Sequence, residues 1–402
     1  MSDYRHFETR AIRPQTDNSL HREHSSSIYM TSSFVFDNAE QGRALFAEEI
    51  EGNIYSRFSN PNLSELVDKL CLLEETEDGV VTASGMAAMF SSMAALLKTG
   101  DHVLASRSIF GATHQLFTQI FPKWGISHTY VDINKPEEWE GLIQGNTKMI
   151  FLESPSNPGL DIIDLEWLGK LARKHHLILN VDNCFATPYL QQPAKLGAHL
   201  VTHSTTKYID GQGRTVGGAV LGTKDLIEKI RFFTRNTGPA LSPFNAWVLS
   251  KSLETLPIRM EKHCQNALRI AEYLEDHEEL ETVKYPFLSS HPYYELAKKQ
   301  MKFGGGIVTF IVKGGFDRCS RFLDELKMLS LTPNLGDTRT TVTHPASTTH
   351  SKMSEEERVA VGITPGLIRV SVGLENVNDI LEDIEVSLQA SKKKLIAPIL
   401  TN

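Results

Sequence analysis

The segment from Thr202 to Tyr208 holds the residue types with the widest chemical range in this chain. Lys207 carries a primary amine that can form an imine with a carbonyl group. Three hydroxyl side chains precede it and can hydrogen-bond to phosphate oxygens, namely Ser204, Thr205 and Thr206. An apolar run at 197–201 comes directly before the segment and predicts a strand. The segment therefore combines a nucleophile with a phosphate-binding surface at the end of a strand.

A carboxylic acid lies upstream of this lysine. Asp182 follows the strand-like run 177–179. An acid that faces a pyridine nitrogen keeps that nitrogen protonated, which makes the ring an electron sink. A lysine, an acid and a hydroxyl cluster are together typical of an enzyme that uses pyridoxal 5'-phosphate (PLP). A lysine after a strand is more often a solvated loop residue, so this hypothesis depends on the further groups below.

Two other segments could hold a phosphate. Ser84 and Gly85 precede an apolar stretch, 86–97, that is typical of a buried helix, and the backbone amides at a helix N-terminus attract phosphate. The same pair is also an ordinary helix cap. Tyr55 and Arg57 share one face of an extended segment and could grip one phosphate together. The alternative for this second pair is an exposed arginine beside a packed tyrosine.

Arg369 lies inside an apolar run, 367–372, where an unpaired charge is costly. A guanidinium pairs with a carboxylate through two parallel hydrogen bonds. The α-carboxylate of an amino-acid substrate would supply such a partner. A structural ion pair is the alternative.

The 402 residues favour two domains, and 41% hydrophobic with 22% charged residues is a globular composition. A net charge of −8 does not indicate binding to nucleic acids or to anionic membranes. No apolar run is long enough to span a membrane. We expect a soluble, cytoplasmic protein. The four cysteines are far apart, so neither a metal site nor a disulfide framework is expected. Cys184 is close to Asp182 and is expected to be an inert, small apolar residue.

Short apolar runs alternate with helix-length stretches over the first half of the chain. The runs predict strands at 102–104, 148–152, 177–179, 199–201 and 218–221. This alternation predicts an α/β fold with a mostly parallel sheet, of the seven-stranded type, and helices on both faces. Ligands bind such sheets outside the carboxyl ends of the strands. Asp182 and Lys207 both follow a strand, as this rule requires.

The chain is predicted to comprise an N-terminal arm (1–47), a PLP-binding domain (48–240) and a smaller C-terminal α/β domain (241–402). The arm is polar and is expected to gain order by lying on something else, such as another subunit. The last domain is predicted to contain one long helix at 244–277, strands at 306–312 and 367–372, and helices at 317–329 and 376–392. A solvated tail is expected from Lys392 onward.

These segments together resemble the cystathionine synthase and lyase family, which are fold-type I PLP enzymes of sulfur amino-acid metabolism. The similarity covers nearly the whole chain and includes the segments 153–158 and 343–350. The resemblance implies that Lys207 holds PLP covalently and that Asp182 pairs with the pyridine nitrogen. It implies a phosphate site made of Ser84, Gly85, Met86, Ser204 and Thr206.

The resemblance also assigns the remaining site residues. Phe110 would stack on the cofactor ring, and Asn157 would lie near the ring hydroxyl. Arg369 would bind the substrate carboxylate together with Asn334, which replaces a serine found in many members. Tyr55 and Arg57 would reach the phosphate of a neighbouring subunit. The expected assembly is therefore a homo-oligomer, a tetramer built as a dimer of dimers.

Two departures from the family pattern narrow the expected activity. Phe110 stands where many members have a tyrosine that is proposed to move protons, and Ala112 stands where methionine γ-lyases have a cysteine. Arg339 stands where cystathionine-handling members have a glutamate. An arginine there would repel a substrate ammonium and attract a carboxylate. A local ion pair between Arg339 and Asp337 is the alternative.

This pattern resembles the homoserine-ester sulfhydrylases of the O-succinylhomoserine type. The expected reaction replaces the succinate of O-succinylhomoserine with sulfide and gives homocysteine, a step of methionine biosynthesis. The alternatives within the family are an O-acetylhomoserine sulfhydrylase, a cystathionine γ-synthase and a γ-lyase. A non-catalytic PLP-binding protein would not need Arg369 and the Asn334 loop together. A nucleotide-binding protein would need a G-x-G-x-x-G motif after an early strand, and the sequence has none there.

Overall fold

The computed structural model describes residues 4–392. The tail that is predicted beyond Lys392 lies outside the described residues. Within them, no helix combines the length and the apolar character that crossing a membrane requires. The strands form two separate sheets, one of seven strands and one of five.

The seven-stranded sheet is mostly parallel, which confirms the predicted fold class. Its order is β1-β7-β6-β5-β4-β2-β3, and β2 to β6 pair in parallel while β7 runs antiparallel to β1 and β6. The strands are β1 Asp78–Thr82, β2 His102–Ser106, β3 Ser127–Val131, β4 Thr147–Glu153, β5 Ile178–Asp182, β6 Leu200–Ser204 and β7 Gly218–Gly222. The five predicted runs all fall on strands of this sheet.

Helices cover both faces of this sheet because its strands are apolar on both sides. In β4, Met149 and Phe151 pack into one core cluster, whereas Ile150 and Leu152 pack into the cluster on the opposite face. Successive side chains of a strand point to opposite faces, so continuous apolar runs need cover on both. The α-helices of this part are Pro61–Glu74, Gly85–Ala94, Gly111–Gln115, Pro136–Trp139, Leu165–Lys174, Thr187–Leu190 and Lys224–Thr237.

The second sheet has the order β10-β11-β12-β9-β8 and is mainly antiparallel. Its strands are β8 Leu280–Lys284, β9 Ile307–Val312, β10 Ser330–Leu331, β11 Thr341–Thr343 and β12 Leu367–Ser371. The α-helices around it are Pro243–Leu253, Leu256–Leu274, Tyr294–Gln300, Gly315–Glu325, Glu355–Ala360 and Val377–Ala390. The domain boundaries at 47 and 240 stay a prediction.

The long helix predicted at 244–277 is two helices, which corrects that prediction. The first ends at Leu253 and the second begins at Leu256, with Pro257 in its first turn. A proline has no N–H and fits a helix only in its first turn. The pair Glu254 and Thr255 therefore separates the helices.

The N-terminal arm contains two short helices, Phe7–Ile12 and Ala39–Phe46. It is held on its own chain by polar contacts. The backbone N–H of Thr16 donates to a carboxylate oxygen of Glu65 at 2.9 Å, and the indole N–H of Trp247 donates to the Ser26 carbonyl at 2.8 Å. The arm therefore contacts its own chain, and an additional contact with another subunit stays a prediction.

Candidate active site

A cavity of about 430 Å³ opens at the carboxyl ends of β4, β5 and β6. The last residues of these three strands all line it, namely Glu153, Asp182 and Ser204. Lys207 follows β6 by three residues and also lines the cavity. The topology therefore brings together the lysine, the acid and two of the three hydroxyl groups that the sequence singled out, those of Ser204 and Thr206, whereas Thr205 is buried and does not line the cavity.

One wall of the cavity is the N-terminus of the helix Gly85–Ala94. Ser84 caps this helix, and its Oγ accepts the Ala87 N–H at 3.1 Å. A Cβ atom at Gly85 would lie 2.5 Å from the Cβ of Ser204, so only glycine allows this close approach. The first N–H groups of a helix have no partner within it. Together with the hydroxyl groups of Ser204 and Thr206, they form a cradle suited to a phosphate.

Lys207 is half-buried, and its Nζ donates to Oδ1 of Asn334 at 2.7 Å. Burial lowers the pKa of Lys207 below its usual value, and the positive charge of Arg369 lowers it further. A lower pKa leaves more of the amine neutral, which is the nucleophilic form.

Asp182 and Glu153 end neighbouring parallel strands and are paired in register. Oδ1 of Asp182 accepts the Cys184 N–H at 2.9 Å, and Oε1 of Glu153 accepts the Phe110 N–H at 2.7 Å. Burial raises the pKa of Asp182 to about 6. Burial and the neighbouring Asp182 charge raise the pKa of Glu153 well above its usual range.

Arg369 lies in the middle of β12, and only 2% of its surface is exposed. Its guanidinium donates to Oδ1 of Asn157 at 3.1 Å and to the carbonyl oxygens of Pro333 at 3.0 Å and Asn334 at 3.4 Å. Within the described residues, Arg369 forms no ion pair, and its Nε has no hydrogen-bond partner. The predicted alternative, a structural ion pair, is therefore not formed. The guanidinium is free to pair with a carboxylate from outside the chain.

Three of the residues predicted for the site do not line the cavity. Tyr55 and Arg57 are exposed, and the Arg57 guanidinium lies 4.6 Å from the ring centre of Phe58. Arg339 forms two hydrogen bonds of 2.9 Å with Asp337, and its side chain is 67% exposed. The local ion pair that was the alternative for Arg339 is thus present. The other predicted residues line the cavity together: Ser84, Gly85, Met86, Phe110, Asn157, Asp182, Ser204, Thr206, Lys207, Asn334 and Arg369.

The sequence analysis assigned no role to Glu153, Val216 or Thr349, which also line the cavity. Glu153 had a usable signal, because it ends a predicted strand as Asp182 does. The other two carry no chemical signal in the sequence. Cys184 lines the cavity as well, and burial raises the pKa of its thiol, in line with an inert side chain. Among residues 4–392, no cluster of three or more His, Cys, Asp and Glu side chains is arranged to hold a metal ion.

These features fit PLP. The cradle at Gly85 and Ser204 matches a phosphate, and Lys207 and Asp182 lie in one cavity with it. The amine and the carboxyl group are the two groups that the cofactor's aldehyde and its pyridine nitrogen require.

Comparison with known proteins gives the same cofactor. The family of Cys/Met metabolism PLP-dependent enzymes matches residues 8–389. The chain is 46% identical over 384 residues to an O-succinylhomoserine sulfhydrylase of Pseudomonas aeruginosa, with 96% of this chain and 95% of that protein covered. It is also 46% identical over 384 residues to an L-methionine gamma-lyase of Fusobacterium nucleatum subsp. polymorphum, with 95% and 97% covered.

A solved structure from Campylobacter jejuni has a TM-score of 0.92 and 36% identity, and the match covers 95% of this chain and 99% of that chain. It is described as an O-acetylhomoserine (thiol)-lyase with N'-pyridoxyl-lysine-5'-monophosphate, a lysine that carries the cofactor. The predictions of the fold, the cofactor and the enzyme family are confirmed. This chain belongs to the Cys/Met metabolism PLP-dependent enzyme family.

Proposed function

We propose that the enzyme is an O-succinylhomoserine sulfhydrylase, which converts O-succinylhomoserine and sulfide into homocysteine and succinate. The observation that carries this proposal is Phe110 in the wall of the cavity. Its ring can stack on a ligand but cannot titrate. Among the residues that the structure describes in this chain, those lining the cavity include no tyrosine and no histidine, so Lys207 is the base that the chain itself supplies for proton transfer. The relative from Pseudomonas aeruginosa supports the same activity.

The charged and polar groups of the cavity each have a part in this reaction. Arg369 binds the α-carboxylate of the substrate, and Asn334 lies beside it. Asp182 would keep a proton on the pyridine nitrogen of the cofactor, and the helix that begins at Gly85 would hold its phosphate. The chemistry that PLP would supply when bound is an electron sink for the substrate carbons next to the γ-ester bond. Lys207 moves a proton at the α-carbon, because its amine is the base within reach.

Arg339 would select the ester. Its guanidinium would pair with the distal carboxylate of a succinyl group, which an acetyl ester lacks. Arg339 must then exchange its pairing with Asp337 for one with the substrate. This exchange makes the net gain in substrate-binding free energy smaller than it would be for an arginine without an internal partner. An ammonium group, such as that of cysteine as acceptor, would meet like charge at this position.

A methionine γ-lyase is the second candidate, because the relative from Fusobacterium nucleatum matches at 46% identity over 384 residues. Two residues favour the sulfhydrylase over this candidate. By the family resemblance, many members have a tyrosine where this chain has Phe110, and methionine γ-lyases have a cysteine where it has Ala112.

The proposed assembly is a tetramer made of two dimers, with the phosphate site shared between chains. Tyr55 and Arg57 would complete the site of the neighbouring subunit. Their exposure and their absence from the lining of their own chain's cavity support this proposal. A location in the cytoplasm stays a prediction.

Four incubations of the purified holoenzyme test the function: sulfide with O-succinylhomoserine, sulfide with O-acetylhomoserine, cysteine with O-succinylhomoserine, and methionine alone. We expect the highest kcat/KM in the first incubation, with homocysteine and succinate as products. Faster use of the acetyl ester, abundant cystathionine, or release of methanethiol from methionine at a comparable rate would each contradict the proposal and select one of the alternatives.

A further inference from the structure

A carboxylic acid without an assigned role, Glu153, lies beside Asp182. Both are the last residues of their strands, they are paired in register, and both line the cavity. Glu153 is only 6% exposed. Within the described chain, neither of the two forms an ion pair with a lysine, arginine or histidine. Two neighbouring buried carboxyl groups without a cation do not both ionise.

The surroundings decide which of the two carries the negative charge. Asp182 accepts the Cys184 N–H at 2.9 Å, and the nearby His203 also favours its ionised form. Glu153 is the more buried of the two, and its pKa is raised well above its usual range by burial and by the Asp182 charge. The proton of the pair therefore resides on Glu153.

Glu153 also fixes the backbone of Phe110. Its Oε1 accepts the Phe110 N–H at 2.7 Å, at the start of the helix Gly111–Gln115. From the other side, the Thr349 carbonyl oxygen would lie 2.6 Å from a Cβ atom at Gly111, so the loop is closely confined. The hydrogen bond and this contact together fix the backbone at Phe110, whose side chain lines the cavity.

We propose that Glu153 is a positioning residue, which is held as the neutral acid, leaves the charge of the pair to Asp182, and anchors the aromatic ring of Phe110. This role concerns the groups around the cofactor site and does not depend on the identity of the substrate. The proposal therefore applies to each of the candidate activities. The kinetic test uses whichever substrate the wild-type enzyme turns over.

Two substitutions separate the hydrogen bond from the charge. Glu153→Gln keeps an oxygen that accepts the Phe110 N–H, whereas Glu153→Ala removes it. We expect Glu153→Ala to lower kcat by about ten- to a hundredfold, because a displaced ring misplaces the reacting groups. We expect Glu153→Gln to recover kcat to within about threefold of the wild type. If the two variants have equal melting temperatures and PLP contents but Gln is as impaired as Ala, the proposal is wrong.

The pH titration of the visible absorbance of bound PLP provides the second measurement. Loss of a charge within about 4–6 Å moves a pKa by one to three units. Because Glu153 carries no charge in this proposal, we expect the midpoint in Glu153→Gln to stay within about 0.3 pH units of the wild type. Asp182→Asn is the matched control on the adjacent strand, and its midpoint should move by about one unit or more. An equally large shift in Glu153→Gln would overturn the proposal, even if Glu153→Ala fails to fold.

Discussion

Replacing Arg369 with lysine tests the proposed carboxylate site most directly. A lysine keeps the positive charge but offers a single compact ammonium instead of a planar fork with two parallel donors. It can therefore form only one of the two hydrogen bonds that a guanidinium makes to a carboxylate. The substitution changes the geometry of the site and leaves its formal charge unchanged.

The structure gives the size of the expected effect. Arg369 is 2% exposed and has no acidic partner in the described chain, so the substrate carboxylate would be bound in a site with little water. A hydrogen bond to a charged group contributes about 1.5–3 kcal/mol. Its loss corresponds to a decrease in kcat/KM of about 10- to 150-fold. The decrease should appear mainly in KM, because the carboxylate is bound equally in the ground state and the transition state.

Arg259→Lys is the matched control for this experiment. Arg259 is also buried, at 5% exposure, and donates to the backbone carbonyl groups of Tyr208, Ile209 and Ser252. It does not line the cavity. We expect steady-state kinetics to show a raised KM for Arg369→Lys alone, while both variants have lower melting temperatures. A change in KM below threefold in Arg369→Lys, or an equal change in Arg259→Lys, would refute the reasoning.

Four further outcomes are expected. Borohydride reduction of the holoenzyme followed by peptide mapping should label Lys207, and a label on another lysine would overturn the cofactor assignment. Burial raises the pKa of Asp182 to about 6 from the usual 3.8, so the folded apoprotein binds this proton more tightly than the unfolded chain. The free energy of unfolding should therefore fall as pH rises from 4 to 6, and denaturant titrations should show a smaller fall in Asp182→Asn. Mixing Lys207→Ala with Arg57→Ala protein should restore some activity through hybrid dimers, and no recovery after proven subunit exchange would contradict a shared site. Arg339→Ala should reduce kcat/KM for O-succinylhomoserine more than for O-acetylhomoserine. The difference should be only ~1 kcal/mol, because Asp337 competes for the same guanidinium. Equal effects on the two esters would contradict the role of Arg339.

The sequence predicts those strands of the large sheet whose residues are apolar because both of their faces are buried. Residues 149–152 are continuously apolar because both faces of β4 are covered by helices. The edge strand β3, Ser127–Val131, was not predicted, because most of its residues are only partly buried and its composition is mixed. The strand β1, Asp78–Thr82, was also missed, since Val80 and Val81 are its only large apolar residues. Burial at the edges of a sheet depends on the tertiary structure, which a local pattern does not contain.

The site was predictable to the extent that its groups have a distinctive chemistry. Lys207, Asp182 and Arg369 were identified because an amine, an acid and a buried guanidinium are informative in themselves. Glu153 follows a predicted strand, as Asp182 does, but its pairing with Asp182 depends on the register of two strands, which the sequence does not show. The pairing of Arg339 with Asp337 was foreseen as an alternative, and only side-chain geometry could decide between the two.

The guanidinium of Arg369, buried without an internal counterion, has a practical consequence for work with this enzyme. Such a group attracts any small flat carboxylate that fits the cavity, whether or not it is a substrate. Acetate or formate in a buffer would thus act as competitive inhibitors. Kinetic constants for this enzyme should accordingly be compared only between buffers that contain no carboxylate.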